Sequence, residues 1–335
     1  MTTKQIWSDD HYESIGKVIE LTALKRMKKS RYWPKKIKTQ KHDPLPSSHR
    51  IENLVRRWSK ELNEPLLHIG LTSSDIEDNV RATQTEMSIA ELDERLTKIT
   101  EELRRWIKKN NGVIMGRTHL LPAQLTTLER RFLPAIEVLE NMTRPVVFYK
   151  GIGGAVGDNS FAEEFEVDLT GIFSLEQNMK NQTSNMTSDI DYITWASLIA
   201  TYLSQICYNI RLSISYGDLI LKGEKIGSSA MPHKGENPWR YEKICGLARR
   251  IYHTSPMILE TIACNGLERT LDNQSILREE LKKVSYTLEE MFDLFFLDNL
   301  FINPKRDKKR VDKEEEFIKH IKKGYCRTDA QRLSK

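Results

Sequence analysis

The sequence predicts an all-α protein built as a bundle of long helices. Three observations carry this: apolar residues recur at helical spacing over unusually long windows, glycine and proline are scarce, and strict period-two alternation is nearly absent. With 335 residues the chain can bury a substantial core. Charged residues make up 30% and hydrophobic ones 39%, which excludes an intrinsically disordered chain. The net charge of +5 is mild for this length, so it admits an anionic ligand without calling for nucleic acid.

Taken in order, the first forty or so residues are basic and weakly periodic, with KRMKKSRYWPKK at 25–36 the densest charge run. That run reads as a solvated basic face. DPLPSSH at 43–49 reads as a connector, and the organised part is expected after it. From Asp75 to about Lys109, Ile76, Val80, Met87, Ala90, Leu96, Ile99, Leu103 and Trp106 fall on one helical stripe. Similar helices are expected from Pro122 to about Tyr149, Thr187 to about Leu221, Pro238 to about Ile262, and Ser275 to about Asp298. The expected division is a shortened N-terminal region at 1–45, a central long-helix bundle at 46–300, and a charged tail at 301–335.

Cys207, Cys245, Cys264 and Cys326 lack metal-ligand or redox-pair spacing and read as free thiols in a reducing compartment. The most apolar run, YITWASLIATYL at 192–203, is too short to span a bilayer. A cytoplasmic protein is expected, with neither membrane nor nucleic acid as partner.

Polar residues concentrate in HIGLTSSDIED (68–78), MGRTHLLPAQLTT (115–127) and GSSAMPHKGENP (227–238), each ahead of an expected long helix. A helix start offers unpaired N–H donors and the positive end of the macrodipole, so three of them suit a ligand with several carboxylates or a phosphate. Ser74 with Glu77 fits a capping box, which leaves the Thr72 and Ser73 hydroxyls over. His119 carries an imidazole, the side chain best suited to acid–base work near neutral pH, although a lone histidine is more often an ordinary surface group. In the third cluster Gly227 permits close anion approach, Ser228 and Ser229 add hydroxyls, Lys234 adds charge, and Asn237-Pro238 opens a helix. A plain turn needs few of these, and the LKGEK ahead of it suggests a segment able to close over a ligand.

These motifs, with YKGIGGAVG at 149–157 and LERTLD at 267–272, resemble the fumarase/aspartase superfamily of lyases, and within it the adenylosuccinate lyase family. The correspondence runs in order over roughly residues 41–304. It implies four subunits assembled through the long helices, active sites shared between them, a succinylated purine nucleotide as substrate, and no metal or organic cofactor. It also implies Ser228 as general base and His119 as general acid, with Glu242 orienting a histidine. Lys234, Thr72, Ser73 and Asn237 would hold carboxylate, and Thr118 and Ser229 would bind substrate. His42, Asp43, Gln182 and Gln274 would line the substrate, and Arg269 and Arg278 would hold phosphate. Spacing alone reads that arginine pair as a surface ion-pair network. The chain departs from the family pattern in its opening, in Pro44 after His42-Asp43, and at Gln274, where a serine is expected. The signature loop reads K-G-E-N-P, one residue longer than K-x-N-P, and little remains of a third helical domain. The alternatives are a sister lyase acting on another succinyl-amine such as argininosuccinate, and an inactive helical assembly derived from a lyase.

Overall fold

The computed structural model describes residues 1–38, 49–223, 236–306 and 312–334, and side chains throughout these except at 272–275 and 312–313. In chain order the elements are α1 (Thr3–Ile6), α2 (Asp9–Met27), α3 (Arg50–Leu62), α4 (Ser73–Asn110), β1 (Val113–Thr118), β2 (Leu121–Thr127) and α5 (Leu128–Glu140). They continue with α6 (Ser160–Glu164), α7 (Thr187–Ser215), β3 (Leu219–Leu221), α8 (Trp239–Ala263), α9 (Asp272–Leu294), β4 (Leu300–Ile302), α10 (Asp312–Lys322) and α11 (Arg327–Leu333).

The long helices expected at α4, α7, α8 and α9 are present, and among the described residues the only sheets are two two-stranded ribbons, β1-β2 and β3-β4. Helix α4 has 38 residues, roughly 57 Å at 1.5 Å per residue. Of its predicted stripe Ile76, Val80, Leu96, Ile99, Leu103 and Trp106 are buried, whereas Met87 is half-buried and Ala90 exposed, and Ile89 and Leu92 are buried in their place. Among the described residues no helix is long and apolar enough to cross a membrane.

Two expectations are corrected. The helix predicted from Pro122 is strand β2, and α5 starts only at Leu128, where the Thr127 hydroxyl accepts from the Arg130 N–H at 3.2 Å. Proline fits the first turn of a helix, but it fits equally the free edge of a two-stranded ribbon, where its missing N–H leaves no ladder bond broken. After Glu140 the chain is irregular as far as Tyr149, which bridges to Glu176. The basic N-terminal stretch is also organised, because α2 is a 19-residue helix capped by Ser8 and acidic in its first turn. The charge run that begins in its last turn is largely exposed, as expected, with three of its charges also engaged. Arg26 donates to the carbonyls of Thr170 and Gly171, Lys28 pairs with Glu64 at 2.5 Å, and Arg31 pairs with Glu166.

The chain forms two compact units. The first comprises Met1–Glu94, Thr143–Ser197 and Arg250–Glu289, and the second Arg95–Met142, Leu198–Arg249 and Glu290–Lys335. In the first, α2 and α3 pack around fully buried Trp58 with Tyr12, Ile19, Met27, Ile51, Ile76 and Ile152. The Trp58 ring lies only 2.7 Å from where a Cβ on Gly16 would be, so α2 reaches α3 only because residue 16 has no side chain. In the second, Trp106 packs edge-on against Phe132 at 6.0 Å, and its indole N–H donates to the Leu300 carbonyl at 2.7 Å.

Candidate active site

The start of α4 organises the first unit. Because the helix begins at Ser73, its third position is Asp75, and the capping contact joins Thr72 to Asp75 rather than Ser74 to Glu77. The Thr72 N–H donates to Asp75 Oδ2 at 2.7 Å and its hydroxyl at 3.2 Å. Asp75 also accepts from the Gly153 N–H at 2.8 Å, from the Gly154 N–H at 3.2 Å, and from the Lys150 ammonium. Both Asp75 and Lys150 are wholly buried. Burying such a pair is costly in desolvation, and it persists where further donors satisfy the carboxylate and a helix N-terminus favours its charge, as here. One turn on, the Asn79 amide exchanges two hydrogen bonds of 2.9 Å with the Gly151 backbone. The YKGIGGAVG segment is thereby tied to the TSSD turn.

Three more of the predicted residues join the same network. Gln182 donates to the Ala155 carbonyl at 2.7 Å and accepts from Arg269 at 2.8 Å. Arg278, on α9, pairs with Glu77 on α4, so the ion-pair reading of this arginine holds within the chain. Gly157 makes the close approach possible: its φ is +91°, and a Cβ there would sit 2.2 Å from the Lys180 carbonyl oxygen. Thr72 and Ser73 thus open α4, Arg278 pairs with Glu77 one turn on, and the Gln182–Arg269 pair is bonded to Ala155, next to the Gly154 that donates to Asp75. Gln274 lies on α9, with its side chain outside the described residues.

Sequence reasoning assigned no role to His68, although it opens the HIGLTSSD motif. It takes the left-handed conformation, φ 70°, and its Nδ1 lies 2.6 Å from fully buried Glu20, whose other oxygen accepts the His68 N–H at 2.9 Å. Burial opposes a charge on this imidazole, but the hydrogen bond and charge of Glu20 outweigh it and raise its pKa. Deeper along α4, buried Arg81 bonds to Asp78, Asp189 and Ser184, and the Ser184 N–H donates to Asp78 at 2.8 Å. These charges brace the turn that carries Gln182. Spacing could not pair Asp75 with Lys150, which is 75 residues away.

In the second unit, His119 sits at the tip of the β1-β2 hairpin. Thr118 pairs with Leu121, so His119 and Leu120 form a two-residue loop with φ of 52° and 64°, the sign pattern of a type I′ turn. Neither residue is glycine or asparagine, so the turn holds its imidazole outward against conformational preference. His119, Thr118 and Asn237 are exposed. Glu242, in the first turn of α8, faces Arg211 at 3.4 Å. His42, Asp43, Ser228, Ser229 and Lys234 lie outside the described residues.

A family described as "Lyase" matches residues 35–252. Adenylosuccinate lyase from Caenorhabditis briggsae is 29% identical over 305 residues, covering 83% of this chain and 62% of the relative. Adenylosuccinate lyase from Schistosoma mansoni is 30% identical over 237 residues, covering 64% of this chain and 49% of the relative. The chain therefore spans about half to three fifths of the length of these two relatives. The crystal structure of 3-carboxy-cis,cis-muconate lactonizing enzyme from Pseudomonas putida superposes with a TM-score of 0.74 at 17% identity, covering 99% of this chain and 84% of the other, a likeness of fold. With the long helices in place and the family matched over most of the chain, this protein belongs to the lyase family of the fumarase/aspartase superfamily.

Proposed function

We propose that this chain catalyses a β-elimination of the adenylosuccinate lyase type, releasing fumarate from succinylated purine nucleotides in purine nucleotide synthesis. The observation that carries the reading is the α4 start, where N–H donors and the helix dipole favour an anion: Thr72 and Ser73 open it, Arg278 pairs with Glu77 one turn on, and the Gln182–Arg269 pair is bonded to Ala155. Ser228 removes a proton from the carbon beside a succinyl carboxylate. The electron pair left behind forms the new C=C bond as the C–N bond breaks, and His119 protonates the departing nitrogen. Charge that develops on the carboxylate is met by preorganised donors from Thr72, Ser73, Ser229, Asn237 and Lys234. Thr118, Gln182, Gln274, His42 and Asp43 position the substrate, and Arg269 and Arg278 hold its phosphate. Glu242 serves the histidine of a neighbouring subunit within a cytoplasmic homotetramer.

Mixing the purified protein with adenylosuccinate should release fumarate with the accompanying ultraviolet change, and Ser228→Ala should abolish it. No turnover by an intact, folded oligomer overturns the reading. The Arg278–Glu77 pair favours a second one, a sister lyase acting on a succinyl-amine without phosphate, because the guanidinium already has a carboxylate partner. AMP would compete with the substrate of the first enzyme and leave the second untouched.

A further inference from the structure

Tyr12 on α2, Glu77 and Arg81 on α4 and Arg278 on α9 line one small cavity with Trp7 and Gln84, all within the first unit. Its volume of about 10 Å³ is about that of a single water. Two buried polar atoms on its lining residues have no hydrogen-bond partner among the described residues, and they are complementary: the Tyr12 hydroxyl can donate, and Oε2 of the Glu77 carboxylate accepts. The other Glu77 oxygen accepts from Arg278. The remaining donors that line the cavity are committed elsewhere. The Trp7 indole donates to Ser88 and Ser285, the Gln84 amide to the Ile6 carbonyl, and Arg81 to Asp78, Asp189 and Ser184. Burial raises the pKa of the Tyr12 hydroxyl and the Glu77 charge raises it further, so this donor keeps its proton.

The two members of the ion pair are held unequally. The Glu77 side chain is 7% exposed, whereas that of Arg278 is 33% exposed and spends one nitrogen of its fork on Glu77. An anion that draws Arg278 outward strands a buried carboxylate, which is costly unless another donor takes the place of the guanidinium. We propose that Glu77 and Tyr12 form a hand-over that sets how readily Arg278 accepts an anion: Arg278 leaves Glu77 for the phosphate of the ligand, and the carboxylate turns into the cavity to take the Tyr12 hydroxyl. Glu77 is then a specificity-determining residue and Tyr12 a positioning residue for ligands that carry phosphate, and neither touches them. This rests on the reading in which Arg278 holds the substrate phosphate, and it explains how a guanidinium that already has a carboxylate partner can do so.

The test is calorimetric titration of the natural chain and its variants with AMP, with adenosine as the ligand that lacks phosphate. Glu77→Gln keeps the shape and removes the competing charge, so AMP should bind about threefold tighter or more. Tyr12→Phe removes the receiving hydroxyl, so AMP should bind at least about tenfold more weakly, because the released carboxylate loses a charge-assisted hydrogen bond. In the Glu77→Gln background Tyr12→Phe should change AMP affinity by less than about threefold, since no carboxylate remains to be received. Adenosine should respond to neither substitution. The urea midpoint of Tyr12→Phe should match that of the natural chain, because the hydroxyl it removes has no partner among the described residues. AMP affinity that Glu77→Gln fails to raise, or that Tyr12→Phe fails to lower, overturns the hand-over, and so does absence of AMP binding to both the natural chain and Glu77→Gln. Fumarate release is measured separately. Turnover of adenylosuccinate with AMP affinity indifferent to Glu77→Gln defeats this inference alone, and the expected AMP pattern without turnover defeats the elimination alone.

Discussion

At the scale of single residues, two buried charge pairs decide how firmly the start of α4 is held. Asp75→Asn strands the buried Lys150 ammonium and is expected to cost about 3–5 kcal/mol, whereas Asp75→Asn/Lys150→Met removes both charges and should cost less than half as much. Urea midpoints of the two variants check this, and additive losses would reject the coupling. The His68–Glu20 pair makes a pH prediction. Because the folded pKa of His68 is raised, its contribution to stability is fully present below the unfolded value of about 6.5 and is lost as pH rises through the folded value. Urea unfolding of the natural chain minus that of His68→Gln should shrink as pH increases from 6 upward, and a growing difference would contradict the pairing. Asp75 and His68 stand in a motif legible as a helix start, Lys150 in one legible only by resemblance, and Glu20 in none. Their pairing was silent because a partner distant in the chain, not local spacing, gives each its role.

At the scale of elements, the stripes of α4, α7 and α8 were legible because unbroken apolar periodicity over several turns marks a helix that buries one face. Helix α2 was hidden by its own packing. Its buried face runs Tyr12, Gly16, Ile19, Glu20, Ala23 and Met27, and the glycine and glutamate that break the pattern are the residues that admit Trp58 and hold His68. The hairpin was missed because Pro122 begins a helix or sits on a ribbon edge with equal ease. Its turn supplies a further prediction. Leu120 is 53% exposed and held at φ 64°, a conformation that costs a non-glycine residue of order 1 kcal/mol. Leu120→Gly should relieve that strain and stabilise the chain by up to about 1 kcal/mol, while Leu120→Ile, β-branched at positive φ, should destabilise it. Thermal melts of the two variants should therefore move in opposite directions. Movement in the same direction would mean that side-chain burial, not the turn, governs position 120.

At the scale of the whole molecule, α7 carries a face that the described residues leave exposed. Asp191, Thr194, Leu198, Thr201, Gln205 and Tyr208 are all exposed, at the alternating three- and four-residue spacing of a coiled-coil seam. From Thr194 to Tyr208 this seam has no charged residue, in a chain of which 30% is charged. A solvent-facing helix surface ordinarily carries charge, and an uncharged seam on a helix already apolar on its other faces is what packing against another helix requires. A second copy of α7 would suit it, since a symmetric assembly would bury the same uncharged seam on every subunit without needing a complementary surface elsewhere. Sedimentation equilibrium of the natural chain should give a mass several times 39.0 kDa. Leu198→Lys/Thr201→Lys places two unpaired charges per subunit in the contact, each worth roughly 3 kcal/mol when stranded, and should weaken association at least about a hundredfold. Circular dichroism of the lysine variant should stay near that of the natural chain, because both positions are exposed within the subunit. A natural chain that sediments as a monomer, or a lysine variant that assembles unchanged, would place the association surface elsewhere and remove α7 from it.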